Sequence, residues 1–294
     1  MIIPNCPNRK LDCSDILNAS FATSAKSGEP VFLDGYYAIK KPLGASGATV
    51  LGTAHNFTDN WSAEYGASVG PTRLDIQHTG NAVLAGQRNN RSATLKNLGI
   101  VFLSSNPGTG IVADKGSVLD TIHIDAAWVG ISMAGAQHRW HNIHIRSPRM
   151  YGLNVIGNAE DSRINNFYIE GKQHKDYVSP GDPPLRCACG IHNLPISSHF
   201  TGFTLIEKCG VGINTGVGTI NTTFDNLHIE VDNIGLVLGP PRTDGAWLKE
   251  LFISRLHLQA CAKDCVGIRR NAAQALRVGV QVESVAPGGA WKTK

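Results

Sequence analysis

Four of the chain's eleven histidines recur at matching places beside a set of acidic and basic side chains. His123, His144, His228 and His257 each lie two residues before Asp125, Arg146, Glu230 and Gln259. Tyr168 stands in the same relation to Glu170. Two residues earlier come Thr121, Asn142, Asn166, Asn226 and Arg255, with apolar residues between the polar ones. Alternation of this kind marks strands with one buried and one wet face. If the copies stack in register, Glu170 and Glu230 stand two rungs apart, about 10 Å at Cα. Their carboxyls then reach the roughly 6.5–9.5 Å span that an inverting glycosidase uses to fit acid, base and water. An elimination is equally open. His144, Tyr168 or His228 would take the proton beside a uronate carboxylate while Arg146 neutralises that carboxylate and stabilises the enolate-like intermediate. In either chemistry Asp125, His144, Arg146, Tyr168, Glu170, His228 and Glu230 are the catalytic candidates, with Asn142, Asn166 and Asn226 beside them to hold hydroxyls.

The elements that position these residues show in a second recurrence. A glycine followed by an aliphatic residue returns at Gly110-Ile111, Gly130-Ile131, Gly152-Leu153, Gly190-Ile191, Gly212-Ile213, Gly235-Leu236 and Gly267-Ile268. Where nothing is inserted the period is about 20 to 23 residues, as in a solenoid whose coils share one core. The Leu-x-x-Leu-x-Leu and Asn spacing of leucine-rich repeats is absent, so strands and Gly-rich turns favour a parallel β-helix. One copy, Thr201-Gly202-Phe203-Thr204-Leu205-Ile206, keeps the period and breaks the polar theme. A constant count puts Thr204 in the histidine row and Ile206 in the acidic row, with Glu207 one place late. On the strand after each glycine, Ser132, Asn154, His192, Asn214, Val237 and Arg269 should face out, a row without evident chemistry. Insertions at residues 172–186 and 240–248 should form loops on one flank, which in solenoids is often the binding flank. His174, Tyr177, Arg186 and Trp247 on them are candidate groove-wall residues. Trp128 and Trp140 are further aromatic candidates, although the alternation around Trp140 predicts burial.

The N-terminal residues carry a family resemblance. A helix over Asp15 to Ala25, capped at Asp12 or Ser14, ends at Ser27-Gly28. A strand at Val31-Phe32-Leu33, a turn at Asp34-Gly35 and a strand through Tyr37-Ala38-Ile39 follow. With Ile16, Ala19, Ala22, Gly28, Val31, Leu33, Gly35 and Tyr37 in place, this resembles the opening of pectate-lyase-like right-handed parallel β-helices, including phage tailspikes. Lys10-Leu11-Asp12-Cys13 stands where that family usually has Gly-Asp-Gly. The motif covers roughly the first fifty residues, and the rest resembles the family by repeat architecture. The resemblance implies an all-β solenoid with a short N-terminal capping helix. It also implies a polysaccharide substrate cleaved by a hydrolase or lyase in a groove along the coils, and an extracellular or virion-associated setting. The alternative it leaves is a non-catalytic glycan-binding or structural tail protein. Tailspike-like chains are commonly homotrimers, which would allow a groove between subunits. Calcium is the one cofactor that relatives suggest, and Arg146 and Ile206 interrupt the acidic run that would hold it.

Composition bounds the rest. With 42% hydrophobic and 17% charged residues the 294-residue chain reads as one globular unit. Residues 1–30 form the lead-in and capping helix, 31–285 the coils and 286–294 a tail. The net charge of +4 is too mild to indicate a nucleic-acid partner. No run of about 20 apolar residues suggests a membrane span, and no secretory signal is visible at the N-terminus. The five Asn-X-Ser/Thr sequons, at Asn18, Asn56, Asn60, Asn90 and Asn221, read as chance matches. Seven cysteines leave at least one unpaired. Cys187 and Cys209 both stand three residues before a repeat glycine, which places them on neighbouring rungs within disulfide range. A reduced, buried stack is the expectation for a reducing compartment. Cys261 and Cys265 are a weaker candidate pair. Cys187, Cys189 and His192 lack the second matched pair of a zinc site. There is no phosphate-binding Gly-Lys-Ser/Thr loop and no His-Glu-x-x-His motif.

Overall fold

A computed structural model describes residues 1–6, 11–53, 72–171, 187–216, 221–231, 234–238, 250–260, 266–270 and 277–285. The groove-wall candidates His174, Tyr177, Arg186 and Trp247, and the pair Cys261 and Cys265, lie outside them.

One helix opens the chain, Ser14–Ser27 (α1), burying Leu17, Phe21 and Ala25. Its entry differs from a simple side-chain cap. Cys13 is the N-cap residue and makes no side-chain cap bond, while Asp12 Oδ1 accepts from the Ser14 amide at 3.0 Å. Gly28 ends the helix in the left-handed conformation, and its N–H donates to the Ser24 carbonyl at 2.8 Å. The polypeptide then winds into coils whose strands pair in parallel with the coil before and the coil after. Among the described residues they make a 12-stranded sheet, which carries the candidate site, and a 9-stranded sheet closing the back. This is the right-handed parallel β-helix expected from the repeat. Among the described residues no helix is long and apolar enough to cross a membrane.

Five successive long strands of the larger sheet are each bent at one residue. Asn97, Thr121, Asn142, Asn166 and Gly202 have φ of 55°, 57°, 51°, 52° and 70°. Asparagine and glycine tolerate the left-handed region, which other side chains enter at a cost. One such residue also shifts the inside–outside alternation by a step. In Arg139–Arg146 the side chains before the bend read exposed, buried, exposed, and after it buried, half-buried, buried. The asparagine row is therefore a corner between two faces rather than a row on a flat strand. Asn166 Nδ2 donates to Asn142 Oδ1 at 3.1 Å, which links successive corners. Asn226 occupies the same row without a positive φ. A second corner, at Ala126, Ser147 and Lys208, is again left-handed and leads to the smaller sheet.

The repeat glycines are explained by close approach across the core. A Cβ on Gly130, Gly152, Gly190 or Gly212 would meet the Cγ2 of Ile145, Ile169, Ile206 or Ile229 at 2.4, 2.6, 2.3 and 2.7 Å. Those four isoleucines are fully buried. One ladder of isoleucine thus packs on one ladder of bare backbone, which fixes the thickness of every coil. The row Ser132, Asn154, His192, Asn214, Val237 and Arg269 is in register as expected, although Ser132 and Val237 are only 9% and 8% exposed. Trp140 is buried, and its Nε1–H donates to Ser117 Oγ at 3.0 Å. The Ser117 hydroxyl donates in turn to His138 Nδ1 at 2.7 Å, because His138 Nε2 is held as a donor by the Ala134 carbonyl at 2.8 Å.

Cys187 and Cys209 form a disulfide with Cα atoms 4.7 Å apart, the spacing of one rung. The reduced stack is thereby corrected: parallel pairing holds the two Cβ atoms side by side, the geometry a disulfide needs. Cys6–Cys13, which the spacing did not suggest, is a second disulfide. Among the described cysteines Cys189 is the free one, and burial pushes its thiol up to about 12, so it is an inert core residue.

Candidate active site on the larger sheet

Pairing in Val118–Asp125, Arg139–Arg146, Arg163–Glu170, His199–Glu207, Thr222–Val231 and Glu250–Ala260 puts the candidate residues side by side. His123, His144 and Tyr168 are register partners, as are Asp125, Arg146 and Glu170. Beyond them the strand His199–Glu207 corrects the fixed-count alignment. Two residues, Gly202 and Phe203, stand opposite the single Asn166. This is a bulge built on a glycine in the left-handed region, and the following residues change sides. Thr204 and Ile206 turn inward, at 1% and 0% exposure. Leu205 joins the histidine row, and Glu207 pairs with Glu170 on one side and Glu230 on the other. Three glutamates therefore occupy three successive rungs. Glu207 stayed outside the candidate set because alignment by constant count assumes no bulge. A signal was present: the dipeptide Ile-Glu recurs at Ile169-Glu170, Ile206-Glu207 and Ile229-Glu230.

Each carboxylate has its own neighbours. Lys208 Nζ donates to Glu170 Oε1 at 2.6 Å, and Arg146 Nε lies 3.8 Å from Glu170 Oε2. Lys208 reaches Glu170 from the corner just after the bulged strand. The Tyr168 hydroxyl donates to Glu207 Oε2 at 2.9 Å. His228 Nε2 stands 4.0 Å from Glu230 Oε2, and the Glu230 side chain is more open than that of Glu170, at 45% against 21% exposure. Burial and the charges of Glu170 and Glu207 push the Tyr168 phenol far above its ordinary range, so it serves as a hydrogen-bond donor and not as a phenolate. Burial, with His257 beside it, lowers the His228 imidazole against the opposing pull of Glu207.

The histidine row is a stack of rings. His144 lies 4.4 Å from Tyr168 and His228 lies 4.3 Å from His257, centroid to centroid. The stack breaks at Leu205. At its other end His144 meets His123 edge-on at 4.7 Å, and His123 is fully buried. Burial first, then His144, Arg146 and Arg73, hold His123 well below its ordinary range. Asp125 is raised by burial, against Arg146 and the Ala126 amide. His123 forms the covered end of its row, Asp125 beside it is half-buried, and the accessible part runs on through His144 and Arg146 to His228 and Glu230. Asn142, Asn166 and Asn226 line the corner beside it, with Asn166 Oδ1 accepting from the Phe203 amide at 3.2 Å and Asn226 Nδ2 donating to the Gly202 carbonyl at 2.9 Å. Their amides are thus partly spent on holding the corner. Trp128 is well exposed on the far side of the second corner. Among the described residues no group of three His, Cys, Asp or Glu side chains is placed to hold a metal ion.

No protein-family model matches the chain, and no curated protein matches it in sequence. Solved structures that share its fold include phage tailspikes. The Acinetobacter phage vB_ApiP_P1 tailspike superposes with a TM-score of 0.60 at 10% identity, over 100% of this chain and 61% of that one. The enzymatically active domain of bacteriophage CBA120 tailspike protein 2 gives a TM-score of 0.53 at 13% identity, over 96% and 51%. The phiAB6 tailspike, solved with oligosaccharides of an Acinetobacter baumannii surface polysaccharide, gives 0.51 at 14%, over 97% and 46%. The chain thus spans about half to three-fifths of the length of the structures it matches.

Proposed function

We propose that this chain is the β-helix part of a virion-associated glycan depolymerase that hydrolyses a surface polysaccharide across the glutamate row. The observation that carries the reading is the unbroken run Glu170, Glu207, Glu230 on three successive rungs beside a row of aromatic and imidazole rings. Glu170 and Glu230, two rungs and about 9.6 Å apart at Cα, act as base and acid of an inverting hydrolysis. Glu170, facing Lys208 and Arg146, draws the proton from the attacking water. Glu230, open beside His228, protonates the leaving oxygen. Glu207 sits between them and holds sugar hydroxyls together with Tyr168. Hydrolysis is favoured over elimination because Arg146 already faces Glu170 and because the Tyr168 phenol stays protonated and engaged with Glu207. Oligosaccharides bound by tailspikes of this fold support a glycan as the substrate, and a homotrimer is the assembly proposed with it.

The test is product analysis on a panel of acidic and neutral bacterial polysaccharides. Saturated reducing ends with inverted anomeric configuration are expected, and Glu170→Gln or Glu230→Gln should each abolish them. Retained configuration would make Glu207, one rung from Glu230, the nucleophile that forms a glycosyl-enzyme, with Glu230 as acid and then base. Unsaturated uronate ends would establish elimination. Binding without any cleavage would make the chain a glycan-binding module. Light scattering reports the trimer.

A further inference from the structure

Round the asparagine corner from the glutamate row, the same strands present a second face with a different charge. Register partners run along it from Thr94 through Val118, Arg139, Arg163, His199 and Thr223 to Phe252. Six spacings of about 4.8 Å make this row roughly 29 Å long. Two clefts open on it. One, of about 380 Å³, is lined by Lys96, Asp120, Arg139, His141 and Arg163 among others. The other, of about 280 Å³, is lined by Ser197, His199, Asn221, Thr223 and Phe252.

The charges in the first cleft are unbalanced. Asp120 is already neutralised, with Lys96 Nζ at 3.1 Å and His141 Nδ1 at 3.1 Å. Burial raises its carboxyl, but the hydrogen bonds from His141, Lys96 and Thr121 outweigh this and hold it low. Arg139 and Arg163 are exposed, and among the described residues neither forms an ion pair. They stand directly opposite each other on neighbouring strands, where like charges repel and cost stability. Two guanidinium forks one rung apart can close on a single oxyanion, which turns that repulsion into a paired clamp. Further along the row the character changes. His199 Nδ1 and Thr223 Oγ1 are hydrogen-bonded at 2.8 Å, and Phe252 presents half of its surface to solvent. An exposed aromatic face beside hydroxyl and imidazole groups suits a neutral sugar ring.

From this arrangement we propose a second glycan-binding groove on this face, in which Arg139 and Arg163 clamp an acidic substituent and the His199–Phe252 end holds neutral sugars of the same strand. The ligand class is an acidic heteropolysaccharide, its charge a carboxylate or an ester of sulfate or phosphate. Nucleic acid fits less well. It carries a phosphate at every step and calls for cations along the whole path, whereas here, among the described residues of the row, they end at Arg163. The groove rests on the proposed function only for its ligand class. It uses none of the glutamates, so either assignment can fail while the other stands.

Isothermal titration at low salt tests it, with oligogalacturonate, a sulfated dextran oligosaccharide, a neutral dextran oligosaccharide and a 20-nucleotide single-stranded DNA as probes. The full chain should bind at least one acidic oligosaccharide. The double variant Arg139→Gln/Arg163→Gln should weaken that binding at least about tenfold, the size expected for losing a charge-assisted clamp. Arg139→Lys/Arg163→Lys should fall between, since it keeps the charge and loses the forks. Lys41→Gln, which removes a cation paired with Asp15 outside both rows, should bind within twofold of the parent. Whichever acidic probe binds identifies the carboxylate or the ester. Circular dichroism and melting midpoints confirm that the variants fold. Three results overturn the proposal: no acidic oligosaccharide bound at millimolar concentration, unchanged affinity in the Arg139→Gln/Arg163→Gln variant, or DNA bound as tightly as the glycans.

Discussion

Replacing Gly152 by alanine tests the packing that sets the thickness of the coil. A Cβ at this position would lie 2.6 Å from both Cγ2 and Cδ1 of Ile169 and 2.8 Å from the Gly190 carbonyl oxygen. Ordinary contact begins near 3.4 Å, so atoms on both sides must move by close to an ångström. Ile169 has no empty volume to move into, being fully buried. The backbone at Gly152 is held by pairing to the coils on either side. Inserting a methyl into such a core costs about 1–3 kcal/mol, a sizeable part of the roughly 5–15 kcal/mol typical of a folded domain. Ile169→Val removes Cδ1, one of the two clashing atoms, and by itself costs about 0.5–1.5 kcal/mol. The double variant should therefore be more stable than the sum of the two single changes by at least about 0.5 kcal/mol. Urea denaturation followed by circular dichroism measures all three. Because Ile169 lies between Tyr168 and Glu170, glycan cleavage should fall with Gly152→Ala and recover partly in the double variant. A Gly152→Ala protein within about 0.5 kcal/mol of the parent, or strict additivity, would refute the packing argument.

Further outcomes follow from the same geometry. His123, His138 and His228 are all lowered by burial, so they contribute stability that is fully present above the unfolded value near 6.5 and is lost as pH falls through it toward the folded values. The melting midpoint should be level from pH 8 to about 7 and drop between about pH 6.5 and 5. His123→Gln should flatten that drop, and a level midpoint across the whole range would contradict it. Tyr168 is raised, so its contribution is complete below about pH 10 and declines as pH climbs toward the folded value. Absorbance titration near 295 nm should show a late-ionising tyrosine that Tyr168→Phe removes, and loss of the Glu207 hydrogen bond should lower cleavage about tenfold or more. Cleaving the Cys187–Cys209 bridge by Cys187→Ser/Cys209→Ser should cost about 3 kcal/mol by loop entropy for a separation of 22 residues. An unchanged denaturation midpoint would argue that the unfolded chain is not constrained there.

The solenoid could be read from residues because its period is set by local physics. Alternation gives strands, and the repeat glycines mark where isoleucine crosses the core. Val31, Leu33 and Gly35 fall where the opening motif predicts. The rows His123–His144–Tyr168 and Asp125–Arg146–Glu170 came out of simple counting because no residue is added within those strands. Counting failed at Gly202. A bulge depends on which backbone groups pair, and composition does not record that. Burial of His123 was likewise invisible, since an outward register position says nothing about what covers it. Lys208 escaped notice for a related reason: it stands at a corner, where alternation assigns no side. The charged face with Arg139 and Arg163 could have been found from the period alone, but the left-handed corner that separates it from the glutamates could not.

The bulge at Gly202 has a consequence for how such a surface can change over generations. On a flat enzyme surface a new acidic group requires a substitution at the right position. Here one extra residue at a corner rotates the next four side chains by half a turn and leaves every other strand as it was. In this strand the extra residue puts Glu207 in the row and Ile206 in the core. A lineage of such coils can therefore revise its reactive surface by insertion or deletion at corners, with the apolar residues already present trading places to keep the core filled. Lengths between corner residues, compared coil by coil, are then a more sensitive record of altered specificity than the identities of the residues themselves.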